Sequence, residues 1–353
     1  MSPPLPKYLT ACCALLIAWA CLYPFSGWQD SGLPLFDYLV APWPKYVRAE
    51  DLAVNVLGYV PLGLVLVPAL PRRFSIITAV LVATLLGALL SLSIETAQNF
   101  LPSRISSNVD LGCNALGTLI GASAGGLFGR RLFERGGGLL GWRANSVVPG
   151  RTGDLGLVLI VLWLLAQFMP DTSLFGAGDL RRLLGLPTPM PFQPRPFIAL
   201  EAAIVACGLL AIGLFARCMM QRTRAWPILL ILALGIAAKA GASWIFYVPG
   251  DPMLWLTPGT RNGILIGTAL LALALWLPRV HQHAIAGMAL LGAATLANLI
   301  PENPYLTGTQ RLITGNFQNF HGLVRVVSGA WPFIALAYLS ALGLWRGEHL
   351  HEG

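Results

Sequence analysis

Apolar runs long enough to cross a membrane recur along this chain, each closed by charge, proline or glycine, and they restrict its fold more than any other feature. A hydrocarbon core roughly 30 Å thick takes about 20 apolar residues of α-helix. The runs lie near residues 8–24, 52–70, 75–95, 111–128, 154–170, 197–217, 227–248, 261–278, 283–300 and 329–346, which predicts ten spans. The chain is 56% hydrophobic and 11% charged over 353 residues, more apolar side chain than a soluble domain can bury. Lipid admits only helices and closed barrels, because backbone groups find no water there, and the runs lack the period-2 alternation of a barrel. The expected class is all-α: a polytopic transmembrane helical bundle of about ten helices. The first run follows Lys7 and ends in Ala18-Trp19-Ala20-Cys21. Trp19 is a poor neighbour for a small-residue cleavage site and nine spans follow, so the run reads as a retained helix.

Basic residues set the expected orientation. With the N-terminus inside, thirteen Lys and Arg fall in cytoplasmic segments and nine opposite, and Lys239 inside a span completes the 23. Only Glu134, Asp154, Glu348 and Glu352 fall inside among the acids, so both termini are expected in the cytoplasm and the net charge of +8 is first a topology signal. The basic residues form short loop clusters with no attached soluble domain, which argues against nucleic acid as a partner. Cys12, Cys13, Cys21, Cys113, Cys207 and Cys218 lie in or at the ends of predicted helices without loop-pair spacing, so they read as packing thiols. His281 and His283 are split across a helix and His349 and His351 belong to the tail, so neither a metal nor a cofactor is expected.

A Gly- and Arg-rich connector divides the chain, with a four-helix domain over 1–130, a cytoplasmic connector over 131–153 and a six-helix region of unassigned role over 154–353. The four-helix part holds the polar motifs. From Glu95 to Asn114 two acids, an arginine, a glutamine and three asparagines stand between two apolar runs, in the loop expected to face outward. Glu95 and Gln98 are three residues apart and share a helix face, with Ser91 one turn earlier; Asp110 and Asn114, and Asp51 and Asn55, are each four apart. Three helices thus each present an acid and an amide near one leaflet. Arg104 is placed to reach back to Glu95 or Asp110 as a charge-assisted pair. Asp110 starts a helix, where a carboxylate caps free N–H groups. Glu95 closes a helix, where the dipole disfavours a carboxylate and calls for a partner or a function. Pro61, flanked by Gly58 and Gly63, predicts a kink that either lines a cavity or serves packing. Gly117, Gly121 and Gly125, at intervals of four, predict close approach of another helix.

This order of residues resembles the VanZ-like family of bacterial membrane proteins. Its pattern has an Asn and a Pro-Leu-Gly in one helix, a Glu-x-x-Gln closing the next, then an Arg, an Asp and an Asn leading into a glycine-bearing helix. The matching residues are Asn55, Pro61, Leu62, Gly63, Glu95, Gln98, Arg104, Asp110, Asn114, Gly117 and Gly121. The family often has further acids between the Arg and the Asp, where this chain has Ser106, Ser107, Asn108 and Val109, which weakens a cation-binding role. The resemblance covers the first 130 or so residues and implies a multi-pass protein of the bacterial cytoplasmic (inner) membrane. The family is named for a contributor to low-level teicoplanin resistance in glycopeptide-resistance clusters.

In the second half, Lys239 lies deep in a predicted span, at a cost of roughly 2.5 to 3.5 kcal/mol unless it is paired or snorkels. Glu201 is its nearest candidate partner by depth. The polar and aromatic segment Asn316–His321 suits a membrane-interface lid or a sugar-binding surface, or plain interfacial anchoring.

Three functional readings follow. In the first, the cluster of Asp51, Asn55, Glu95, Gln98, Arg104, Asp110 and Asn114 binds a polar head group, of a membrane lipid or a lipid-linked envelope precursor. In the second, a membrane-embedded enzyme uses Glu95 as acid or base, although the chain has no nucleophile elbow, HExxH or phosphate loop. In the third, the cluster locks three helices. The expected topology has its own check: a reporter fused after Ser107 reads extracytoplasmic, and a cytoplasmic reading overturns the outward-facing cluster.

Overall fold

The computed structural model describes residues 4–23, 25–30, 32, 34–43, 49–129, 138–221, 224–248, 250–301, 303, 311–312 and 318–351. Lys45, Arg48, Arg130, Arg131, Arg135, Arg222, Gly136-Gly137 and Asn316-Phe317 lie outside the described residues, as do the side chains of Asp51, Arg311, Gln318 to His321, His349 and His351. The chain divides into two compact units, Met1–Asn145 and Ser146–Gly353.

Every expected span is a helix. In the first unit these are α1 (Pro4–Leu22), α3 (Ala49–Ala69), α4 (Ile76–Gln98) and α5 (Asn108–Ala124), with a short α2 (Asp37–Val40) between the first two. The last turn of α5 runs on as π-helix over Gly125–Gly129, and α6 (Gly138–Ser146) follows. In the second unit they are α7 (Gly150–Ala166), α9 (Pro194–Met219), α10 (Trp226–Phe246), α11 (Pro258–Ala274), α12 (Arg279–Leu299) and α13 (Gln318–His351), with a short α8 (Leu180–Leu183). A two-residue antiparallel ribbon pairs β1 (Tyr247–Val248) with β2 (Arg311–Leu312). Seven helices among the described residues are long and apolar enough to cross a membrane, and the chain is a multi-pass membrane protein. Of the other three, α7 and α11 have 17 residues each, about 25 Å at 1.5 Å per residue. The third, α12, has Arg279, His281, Gln282 and His283 in its first turns.

In the first unit the buried stripes explain the packing. Along α4 the buried positions are Ala79, Ala83, Gly87, Ser91, Ile94, Glu95 and Gln98, a four-residue spacing that begins small and apolar and ends polar. Along α3, Tyr59, Leu62, Gly63, Leu66 and Val67 are buried, and along α5 Asn114, Gly117, Thr118, Gly121 and Ala122. Glycine lets α3 and α5 meet backbone to backbone. A Cβ on Gly117 would sit 2.1 Å from the Val56 carbonyl oxygen, one on Gly121 2.0 Å from that of Val60, and one on Gly63 2.1 Å from that of Thr118. Tyr59, Leu62, Leu66, Val67, Ala79, Ala83 and Ala122 form one apolar core, and Cys13, Ala14 and Ile17 of α1 close over it. The helix runs unbroken through Pro61, whose ring is on the exposed side, as is Leu57, the residue whose carbonyl it deprives of a donor. Pro61 therefore does not line the polar cluster.

In the second unit α9 is the centre, buried on nearly all sides through Ile204, Val205, Leu209, Ile212, Leu214 and Phe215. Gly259, Gly263 and Gly267 of α11 face it at intervals of four: a Cβ on Gly263 would lie 2.6 Å from the Ala202 carbonyl oxygen. Trp331 of α13 donates to the Leu159 carbonyl at 2.7 Å and Tyr338 to that of Thr152 at 3.1 Å, which ties α13 to α7. All six cysteines are free thiols.

The glycine contacts make a test. A Gly121→Leu chain, in which backbone must separate from backbone, is expected to lose about 3 kcal/mol or to fail to fold. Gly58→Ala, where the added methyl would meet nothing within 4 Å, is expected to hold or raise stability by about 0.5–1 kcal/mol. Thermal melting of the purified protein in detergent decides, and equal losses in both would refute the close-approach reading.

Candidate functional site

The polar ends of the α3, α4 and α5 stripes form one seam. Ser107 caps α5, its hydroxyl accepting from the backbone N–H groups of Val109 at 3.2 Å and Asp110 at 3.4 Å. The same residue's own N–H donates to Glu95 Oε2 at 2.9 Å, and the neighbouring Ser106 hydroxyl donates to the Glu95 carbonyl at 2.6 Å. The 101–107 loop thereby folds back over the end of α4. Glu95 is 4% exposed.

Asp110, freed from capping, accepts at Oδ1 from Asn55 Nδ2 at 2.7 Å, which joins α5 to α3. The expectation that Asp110 is the cap is corrected: Ser107 supplies the cap because it precedes the helix, while Asp110 is already in its first turn. One turn deeper, Asn114 donates to Ser91 at 2.9 Å and joins α5 to α4. Gln98 donates to the Cys21 carbonyl at 2.9 Å, and the Arg104 guanidinium donates to the carbonyl of Tyr23. The Arg104 guanidinium, expected to reach back to Glu95 or Asp110, reaches the end of α1, whose last carbonyls have no helical donors. Burial pulls the Arg104 pKa down from its ordinary value, and an arginine remains charged there.

Two buried polar atoms in this seam have no hydrogen-bond partner among the described residues: the Tyr59 hydroxyl and Asn114 Oδ1. The Tyr59 hydroxyl lies by Ser91 and Glu95. An unsatisfied buried polar group costs about 1–3 kcal/mol, and these two lie in the same seam as the buried Glu95 carboxyl. Asn55, Asp110 and Glu95 are thus linked through Ser107, Asn114 pairs with Ser91 one turn deeper, and Gln98 and Arg104 reach carbonyls at the end of α1. Asp51 lies in the first turn of α3, and its side chain is outside the described residues.

Sequence reasoning missed Tyr59, which looks like any core aromatic, and the carbonyls of Cys21 and Tyr23, which have no side-chain signature. It also missed the Ser107 cap, although Ser-x-x-Asp ahead of an apolar run is a recognisable start signal.

The second unit holds Glu201 and Lys239, 1% and 0% exposed. The expected pairing of the two is corrected: each is satisfied separately. Lys239 Nζ donates to the Met169 carbonyl and, at 3.1 Å, to the Thr172 hydroxyl. Glu201 accepts from Thr257 at 2.7 Å and from Asn303 at 3.0 Å. The non-helical segment after α7 brings carbonyl and hydroxyl acceptors within reach of the lysine, which depth along α9 and α10 alone does not reveal.

A helical bundle with a buried polar seam at one end of its spans defines the first unit as a multi-pass membrane domain. Residues 11–129 match the family model described as VanZ/LLP1, and the N-terminal unit is a VanZ-like membrane domain. The match covers roughly a third of the chain and ends before the second unit begins. No curated protein and no solved structure matches.

Proposed function

We propose that the VanZ-like unit binds the polar head group of a membrane lipid or a lipid-linked envelope precursor at the seam around Glu95, on the outward face of a bacterial cytoplasmic membrane. The observation that carries this reading is the pair of unsatisfied atoms, the Tyr59 hydroxyl and Asn114 Oδ1, in one seam with a buried carboxyl. A donor and an acceptor of this kind match the hydroxyls of a glycan or glycerol head group, and Arg104 on the loop suits its phosphate. The reading extends to glycopeptide resistance, since a protein that holds an envelope precursor changes its supply to the cell surface.

One observation favours a second reading, in which the seam only locks helices together. Glu95, Gln98, Arg104 and Asp110 each already hydrogen-bond within the protein. A single experiment separates the two. Wild-type protein, Glu95→Gln and Arg104→Ala are purified from bacterial membranes and their bound lipids identified by mass spectrometry. Head-group binding is expected to enrich one polar lipid class on the wild type, with about tenfold loss in each variant, the worth of one charge-assisted hydrogen bond. The wild type is also expected to raise teicoplanin tolerance in a susceptible host and Glu95→Gln to abolish the rise. Folded variants with unchanged lipids and tolerance establish the lock. Turnover of a lipid-linked substrate lost in Glu95→Gln would instead make the unit an enzyme.

A further inference from the structure

The segment that follows α7 turns back into the second unit. Residues 167–179 are irregular, yet a Cβ on Gly208 would lie 2.5 Å from the Phe175 carbonyl oxygen, and Gly208 stands about 20 Å along α9 from Pro194. Irregular backbone at that depth persists only where protein buries it or where it borders a cavity, and here it does both. Lys239 Nζ donates to the Met169 carbonyl and the Thr172 hydroxyl, and the Phe175 N–H donates to Gln167 Oε1 at 3.0 Å. The Phe175 ring stacks on Trp163 with centroids 5.6 Å apart. Phe175 also holds a φ of 59°, a left-handed backbone that its side chain disfavours, so the course of the loop is imposed by what packs around it.

The cavity that this loop borders has a volume of about 40 Å³, is open on one side and is apolar over most of its surface. Phe197, Ile204 and Ile300 belong to its apolar walls, and Asp171, Asp179, Arg182 and Asn303 make a polar one. Arg182 lies 2.6 Å from Asp171 Oδ2 and 3.5 Å from Asp179 Oδ2, and Arg181 lies 3.6 Å from Asp179. Two carboxylates against two guanidiniums leave no net charge, so neither an anion nor a cation is favoured there. Hydrogen bonds of both kinds are on offer instead, with carboxylate acceptors beside a guanidinium donor. Asp171 Oδ1 has no hydrogen-bond partner among the described residues, and the Asp171 and Arg182 side chains are 20% and 19% exposed, which leaves the wall within reach. Asn303 Nδ2 donates to Glu201 Oε1 at 3.0 Å, so Glu201 and Lys239 stand behind the cavity and hold two of its lining side chains, Asn303 and Thr172, in place.

We propose that this cavity binds the hydroxyl edge of a neutral sugar or glycerol group. Vicinal hydroxyls, each a donor and an acceptor, match a carboxylate beside a guanidinium, and the C–H face of the same group matches Phe197 and Ile204. At roughly 10–15 Å³ for each water-sized centre, the cavity admits about three hydroxyls, those of one triol or of one edge of a hexose ring. The remainder of the ligand stays in the open mouth. A free sugar and the head group of a glycolipid share this chemistry. The site belongs to the second unit and is independent of the head-group reading of the Glu95 seam.

Hydrogen–deuterium exchange of the full-length protein in phosphatidylcholine nanodiscs tests this, with glycerol, methyl glucoside and glucosyl diacylglycerol as probes. Saturable slowing of the amides of residues 171–178, at least threefold, is expected with one or more of them. Slowing by glycerol or the free glucoside makes the ligand a soluble polyol, and slowing by the glycolipid alone makes it a lipid. Inorganic phosphate and choline are expected to have no effect. Asp171→Asn, which keeps the size and removes the charged acceptor, is expected to raise the probe concentration needed about tenfold. Ala297→Leu, which fills the cavity, is expected to do the same or more, and Ser173→Leu on the loop serves should that variant not fold. The proposal is overturned if no probe slows exchange at 171–178 in the wild type, or if slowing is confined to the first unit. Phosphate or choline acting as strongly as the polyols, or a folded cavity-filling variant that responds like the wild type, overturns it as well.

Discussion

Lipid offers polar groups nothing to bond to, so each one carried into a span must find its partner inside the protein, and that need fixes how these helices meet. In the N-terminal unit the need is met by approach so close that α3 and α5 touch through backbone at Gly63, Gly117 and Gly121. That approach lets Asn55 of α3 reach Asp110 of α5, while between α4 and α5, where Gly87 lies against Thr118, the short side chains of Ser91 and Asn114 meet. The glycines are the condition, and the polar seam is the consequence.

The seam also explains how a loop with few apolar residues is held. Ser106 and Ser107 bond to the backbone and the carboxylate of Glu95 respectively, and so fasten the loop to the helix end. The C-terminal unit solves the same problem differently. Its acid and its lysine are held by hydroxyl, amide and carbonyl groups from non-helical segments and helix starts, without touching each other.

Much of this was legible in the sequence, and the rest was not for identifiable reasons. Apolar runs located every long helix, seven of them long and apolar enough to cross a membrane among the described residues, because length and apolarity are read directly from residue type. The spacing of Gly117, Gly121 and Gly125 announced a helix contact, and the order from Asn55 to Asn114 announced the VanZ-like unit, whose family match ends at residue 129. Side-chain charge misled where backbone was the true acceptor. Lys239 was expected to seek a carboxylate, yet it turns to a main-chain carbonyl in an irregular segment, and Arg104 also reaches one at the end of α1; such carbonyls carry partial negative charge but leave no trace in residue type. Tyr59 was overlooked because apolar packing accounts for its ring and nothing local marks its hydroxyl.

The dependence of the seam on direct contact between helices is tested most directly by a double-mutant cycle on Ser91 and Asn114, with unfolding free energies of Ser91→Ala, Asn114→Ala and the double variant measured in detergent. These residues form the most deeply buried interhelical hydrogen bond of the seam, at 2.9 Å. A coupling of about 0.5–1.5 kcal/mol is expected, the range of polar pairs between membrane helices. Strictly additive losses would mean that the two helices hold each other without the polar contact, and would contradict the seam as the organiser of the unit.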